Sequence, residues 1–262
     1  MINNIIKTIV WIIFLGGLGY GLHFFKQMHD QTPCKGADIT VYSQKGVALT
    51  DSAAIRNIID QSVDTLTKTP LHLIPVEKIE RALQNNPFIE NVDVITTVSG
   101  YLKVKVKSYN PVLRIISNAN SSFFIDRHGV LIPSKPLSSA HTPFASGHLN
   151  ISLADSTIQK NYQINSLAGF SVLKEIFNLA AEIRSSTFLA AQIEQIYVNP
   201  SGEYELIPKV GDQVILLGDL TNLNNKLKKL EAFYKQAMPV NGWNKYKSIN
   251  LKYKNQVVCS KI

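Results

Sequence analysis

The strictest alternation in the chain is YLKVKVK, residues 101–107. Leu102, Val104 and Val106 fall on one side, and Lys103, Lys105 and Lys107 on the other. A period of two predicts a half-buried strand with one wet face. Upstream, the period becomes helical. In IPVEKIERALQNN, Val76, Ile79, Ala82 and Leu83 share a face. Pro75 suits the first turn of that helix, and Glu77 and Glu80 favour its N-terminal half electrostatically. Pro87 stops it, because proline lacks an N–H and clashes with the preceding turn. Phe88, Ile89, Val92 and Val94 then start a strand at once. Earlier still, Thr50 or Asp51 caps a helix carrying Ala54, Ile55, Ile58 and Ile59, and ITVYSQ (39–44) reads as a strand. The order β-α-α-β-β over residues 38–108 closes one small core, with both helices on a single sheet face.

Asn110-Pro111 marks a boundary, and residues 109–262 form a second region. PVLRII and FFIDRHGVLIP predict strands joined by turns, with one turn at 126–129. IEQIYVNPSGEYELIP predicts a hairpin around Asn199-Pro200-Ser201-Gly202. SLAGFSVLKEIFNLAAEIR predicts a helix with Leu173, Ile176, Phe177 and Ala180 inward. QVILLG predicts a strand. TNLNNKLKKLEAFYKQA predicts a helix with Leu223, Leu227, Leu230 and either Phe233 or Tyr234 inward. In the terminal YKSINLKYKNQVVCSKI, one strand is expected over about 247–258. Ile249, Leu251 and Tyr253 alternate there with lysines, and Gln256, Val257 and Val258 extend it.

The N-terminal pattern is different. From Ile9 to Phe25 there is no aspartate, glutamate, lysine or arginine. Counted as helix, this run approaches the ~20 residues that a bilayer core requires. No A-x-A cleavage site follows, so an uncleaved anchor is expected rather than a signal peptide. Gly17 and Gly21 make a G-x-x-x-G pair, a weak mark of helix association. The reading is a cytoplasmic tail over 1–8, a transmembrane helix over 9–29 and a linker over 30–37. With Lys7 on one side and Lys26 and Lys35 on the other, the positive-inside rule does not choose an orientation. A short tail is easily left in the cytoplasm, with the remainder exported. The expected fold class is α+β: one transmembrane helix, a small β-α-α-β-β domain, and a mixed α/β-type domain dominated by an antiparallel sheet.

Charge and chemistry refine this picture. The formal net charge is +8. Ten lysines and three acids between Lys209 and Ile262 concentrate +7 of it there. A basic surface points to an acidic partner or to an ordinary solvated face. Nucleic acid is not expected, since charge alone would have to support it. Cys34 and Cys259 make no disulfide framework. No histidine pairs with cysteine at zinc spacing, and no H-E-x-x-H, G-x-x-x-x-G-K-[ST] or G-x-G-x-x-G occurs. Asp126 and His128 read as turn residues, and Ser138, Ser139, His141 and His148 as loop residues. No catalytic, metal or cofactor site is expected. Docking is the work that remains: a terminal strand offers an edge to which a partner adds a strand. Tyr246 and Tyr253 are candidate anchors.

The phrases VALTDSAAI, IPVEKIERALQNNPFIENVDV, LKVKVKSYNPVLRI, FFIDRHGVLIP, KLKKLEAFYKQ and INLKYKNQVV together resemble the FtsQ/DivIB cell-division family. The resemblance covers nearly the whole chain. It implies a POTRA domain over 38–108, a C-terminal β domain over 109–262 and no enzymatic activity. It further implies a single-pass inner-membrane protein at the septum, with the C-terminus periplasmic. The implied partners are FtsB and FtsL, bound by strand addition at the C-terminal strand, besides the lipid bilayer. The implied contacts are Tyr246, Ile249, Leu251, Tyr253, Gln256, Val257 and Val258. Pro87 and Phe88 fall where the POTRA domain meets other division proteins. The alternative is a POTRA-containing component of envelope protein assembly or secretion.

Overall fold

A computed structural model describes residues 11–24, 33–43, 48–63, 65–118, 121–134, 142–243 and 245–262. The chain divides into two compact units, Met1–Ser108 and Tyr109–Ile262.

The first described element, helix α1, covers residues 11–24. Among the described residues no helix is long and apolar enough to cross a membrane. This corrects the expected transmembrane helix over 9–29. The single-pass inner-membrane topology that depended on that helix goes with it. Residues 1–10 and 25–32 lie outside the described residues, and with them the expected tail over 1–8 and part of the expected linker.

The rest of the first unit holds strand β1 (Gly36–Tyr42), helices α2 (Ser52–Ser62) and α3 (Val76–Gln84), and strands β2 (Ile89–Thr96) and β3 (Tyr101–Ser108). The sheet order is β1-β3-β2, with β1 parallel and β2 antiparallel to the central β3. Leu102, Val104 and Val106 of β3 are fully buried. Above them lie Ile55 and Ile59 of α2 and Ile79 and Leu83 of α3, which completes one core. Asp51 is the cap of α2: its carboxylate accepts from Ala54 N at 2.7 Å. The abrupt change after α3 is made by Asn86 as well as Pro87. Asn86 Oδ1 accepts from Phe88 N at 3.0 Å, and its carbonyl accepts from Ile89 N at 3.0 Å.

The second unit is built on a nine-stranded sheet of order β12-β11-β10-β9-β8-β7-β4-β5-β6. Its strands are β4 (Pro111–Ile116), β5 (Ser122–Asp126), β6 (Leu131–Pro133), β7 (Phe144–Gly147), β8 (Ile193–Val198), β9 (Tyr204–Pro208), β10 (Val214–Gly218), β11 (Tyr246–Asn250) and β12 (Val258–Lys261). Helices α4 (Asp155–Gln159), α5 (Ser171–Ser185) and α6 (Thr187–Gln192) precede β8, while α7 (Leu223–Gln236) and α8 (Met238–Asn241) join β10 to β11. Most pairings are antiparallel, but β4–β7, β7–β8 and β10–β11 are parallel. A helical crossover is what a parallel pair such as β10–β11 requires. Leu173, Ile176, Leu179 and Ile183 of α5 and Leu227, Leu230 and Tyr234 of α7 bury against the sheet.

Candidate functional site

The end of the sheet is set by the β10–α7–β11 crossover. Ile215 of β10 pairs with Ile249 of β11, and Leu251 N donates to Leu216 O at 3.0 Å. The chain then leaves the sheet, turns through Asn255 in the left-handed region (φ +60°), and returns as β12 antiparallel to β11. The expected single strand over 247–258 is therefore two strands and a turn. Asparagine tolerates the left-handed region, because its short side chain bonds locally. Ser248 Oγ and Ser260 Oγ lie 2.6 Å apart across the pair. Among the described residues, no strand pairs with the outer edge of β12. At the opposite end, by contrast, the segment around Asn161–Gln163 covers β6: Leu131 N donates to Tyr162 O, and Val130 bridges Gln163.

The expected contact residues fall into different environments. Ile249 and Leu251 are fully buried and belong to the core. Tyr246 is half-buried against the Phe233 ring, with centroids 5.7 Å apart. Val257 is partly buried on the same core. Tyr253 and Gln256 are exposed in the connection before β12, and Val258 is exposed at the first position of β12. Tyr253, Gln256 and Val258 are thus open to solvent, whereas Ile249 and Leu251 are core residues. Cys259, Ser260 and Lys261 complete the edge, and they are not among the contacts expected from the sequence. The signal that points to them is the turn-forming Asn255, which splits the apparent strand. In the first unit, Phe88 is buried and Pro87 half-buried.

Beside the turn is an open cleft of about 720 Å³, between the start of α7 and residues 251–255. Lysines dominate it: Lys226, Lys228, Lys229, Lys252 and Lys254. Two acids there are paired. Lys252 Nζ meets Glu203 Oε2 at 2.5 Å, and Lys226 Nζ meets Asp219 Oδ1 at 2.8 Å. The bond from Lys226, then that from the Thr221 hydroxyl, brings the Asp219 carboxyl down to about 2. The bond from Lys252 likewise lowers that of Glu203. Lys229 extends its ammonium to three backbone carbonyls, those of Leu251, Tyr253 and Gln256.

Nothing in this arrangement resembles a reaction centre. Among the described residues, no group of three or more histidines, cysteines, aspartates or glutamates is placed to hold a metal ion. Asp126 is a turn former: its Oδ1 accepts from His128 N and Val130 N, both at 2.8 Å. Tyr204 donates its hydroxyl to Glu175 at 2.7 Å, and burial first, then that bond, raises its pKa. Both cysteines are free; burial pushes the Cys259 thiol up, away from the thiolate that reactivity needs. His148 is exposed. Ser138, Ser139 and His141 lie outside the described residues.

Comparison with known protein families gives two matches. Residues 110–260 match the model described as FtsQ/DivIB, C-terminal related. Residues 32–107 match that of a POTRA-like domain. No curated protein matches the chain.

Proposed function

The chain belongs to the FtsQ/DivIB-related family, and on that premise we propose that it is a scaffold of the bacterial division machinery whose C-terminal sheet edge binds the FtsB–FtsL pair. Its family and its POTRA-like domain support a non-enzymatic role. A scaffold acts by presenting surfaces that hold other proteins in place.

The observation that carries the proposal is the open edge of β12. A terminal strand paired on one side has backbone N–H and C=O groups along its other side, and an extended partner segment completes the ladder. Main-chain bonds supply affinity there, and the side chains flanking the edge supply selectivity. Here those flanking groups are Tyr253, Gln256 and Val258, next to the lysine-lined cleft. Basic surroundings favour a partner with acidic residues and speed its encounter.

The test is direct binding of the purified chain to a purified FtsB–FtsL pair, with amide exchange read on the complex. Protection appearing at 258–261 on binding supports strand addition at β12. A complex that leaves those amides unprotected, or no complex at micromolar concentrations, refutes it. In cells, depletion of the protein is expected to give filaments or chains that fail to septate.

A further inference from the structure

We propose that Lys229 is a positioning residue that pre-orders the β12 edge for its partner; this rests on the strand-addition reading above. Three bonds carry the inference. The Lys229 ammonium has three N–H donors, and it faces Tyr253 O at 2.7 Å, Leu251 O at 3.3 Å and Gln256 O at 3.3 Å. All three acceptors lie within the connection between β11 and β12, one at its start, one inside it and one near its end. The connection has other ties as well: residues 254 and 255 form a turn, Lys252 N donates to Asn250 Oδ1 at 3.0 Å, and the Lys252 ammonium pairs with Glu203. Lys229 is the group that ties three carbonyls of this connection to α7 at once.

The role is local. Helix α7 is seated by Leu227, Leu230 and Tyr234, all buried in the core. The turn before it is tied by Lys226 to Asp219. Neither depends on Lys229. The β12 strand has fewer supports: it pairs with β11 on one side only, and its residues are exposed or half-buried. Removing the three bonds frees the connection and hence the register of the edge. A partner would then have to order that edge as it binds, and pre-organisation lowers this cost.

The experiment uses the full chain with Lys229→Met, Lys229→Arg and, as a charge control, Lys235→Met. Lys235 lies on the same helix but pairs with Glu231. Two quantities are read: amide exchange in the free protein, and affinity for the purified FtsB–FtsL pair. Lys229→Met is expected to speed exchange at 259–261 at least tenfold while β8 and β9 keep their protection. It is expected to weaken binding about tenfold, chiefly through slower association. Lys229→Arg recovers most of both, and Lys235→Met changes neither. Unchanged exchange at β12, exchange raised evenly across the sheet, or wild-type affinity in Lys229→Met overturns the positioning role. Should the wild-type protein itself not bind the pair, the strand-addition reading fails and the role of Lys229 toward a partner falls with it. The exchange data then report separately whether Lys229 orders the edge.

Discussion

Lys226 buries nearly its whole side chain and places its ammonium 2.8 Å from both the carboxylate and the backbone carbonyl of Asp219. The carboxylate itself is mostly exposed. One residue thus pins the turn between β10 and α7, from the inside, to an acid that faces water.

Acid should loosen this tie in a defined window. The Asp219 carboxyl is lowered from an ordinary 3.8 to about 2, mainly by the bond from Lys226. A depressed folded-state value means that the contribution is complete above the unfolded value, and fades as pH falls from about 4 through 2. Glu203 and Glu231 are lowered in the same sense by Lys252 and Lys235. Lys226→Met should return the Asp219 titration toward its ordinary value, as read by carboxyl NMR. It should destabilise the second unit by about 1–2 kcal/mol at neutral pH, since a buried charged donor is lost. It should also flatten the fall in stability between pH 4 and 2 in urea titrations.

Gly147 is a site where only glycine fits. Its φ is +101°, and a Cβ there would run into the Val198 carbonyl, to which His148 N donates at 2.8 Å. Gly147→Ala should cost at least about 2 kcal/mol, combining backbone strain with a steric clash. Gly202 also has a positive φ, +78°, but nothing stands within 4 Å of its Cβ position. Gly202→Asn should therefore stay within about 1 kcal/mol, because asparagine enters the left-handed region readily. Urea midpoints of the two variants, compared at constant slope, check the difference.

Local pattern carried much of the fold. The alternation over 101–107 predicts the buried Leu102, Val104 and Val106, and all three have no exposure. The choice left open between Phe233 and Tyr234 is settled by packing and polarity: Tyr234 is the deeply buried one, and its hydroxyl accepts from Gln213 Nε2 at 3.0 Å. Other features depend on information that period does not hold. Alternation from Tyr246 to Val258 runs across a turn, since a turn flanked by strands preserves the rhythm on both sides. The three carbonyls that meet Lys229 are 22, 24 and 27 residues away along the chain, so no spacing rule predicts them.

The helix cap at Asp51 offers a test confined to the first unit. Its carboxylate satisfies Ala54 N, one of the amides that a helix start leaves without an intrahelical acceptor. Asp51→Ala should cost about 1 kcal/mol, and Asp51→Asn much less, because asparagine caps almost as well. Thermal unfolding should show the loss, with the acceptor rather than the charge deciding it.

The sharpest pair of predictions separates the surface of the edge from its support. Tyr253 is 50% exposed, whereas Ile249, in the strand just before it, is 0% exposed. Tyr253→Glu should leave stability within about 0.5 kcal/mol, the usual range for surface changes. Should strand addition occur here, it should weaken FtsB–FtsL binding about tenfold, since a bulky aromatic contact becomes a charge beside the partner. Ile249→Ala should cost about 2–5 kcal/mol by leaving a cavity under the sheet. It should impair binding only where the fold itself is lost, so lowering the temperature should restore affinity. Calorimetric affinity and urea stability measured on both variants distinguish these outcomes. Equal affinity for Tyr253→Glu and wild type would remove Tyr253 from the contact surface, while a stable Ile249→Ala that still fails to bind would place Ile249 in direct contact.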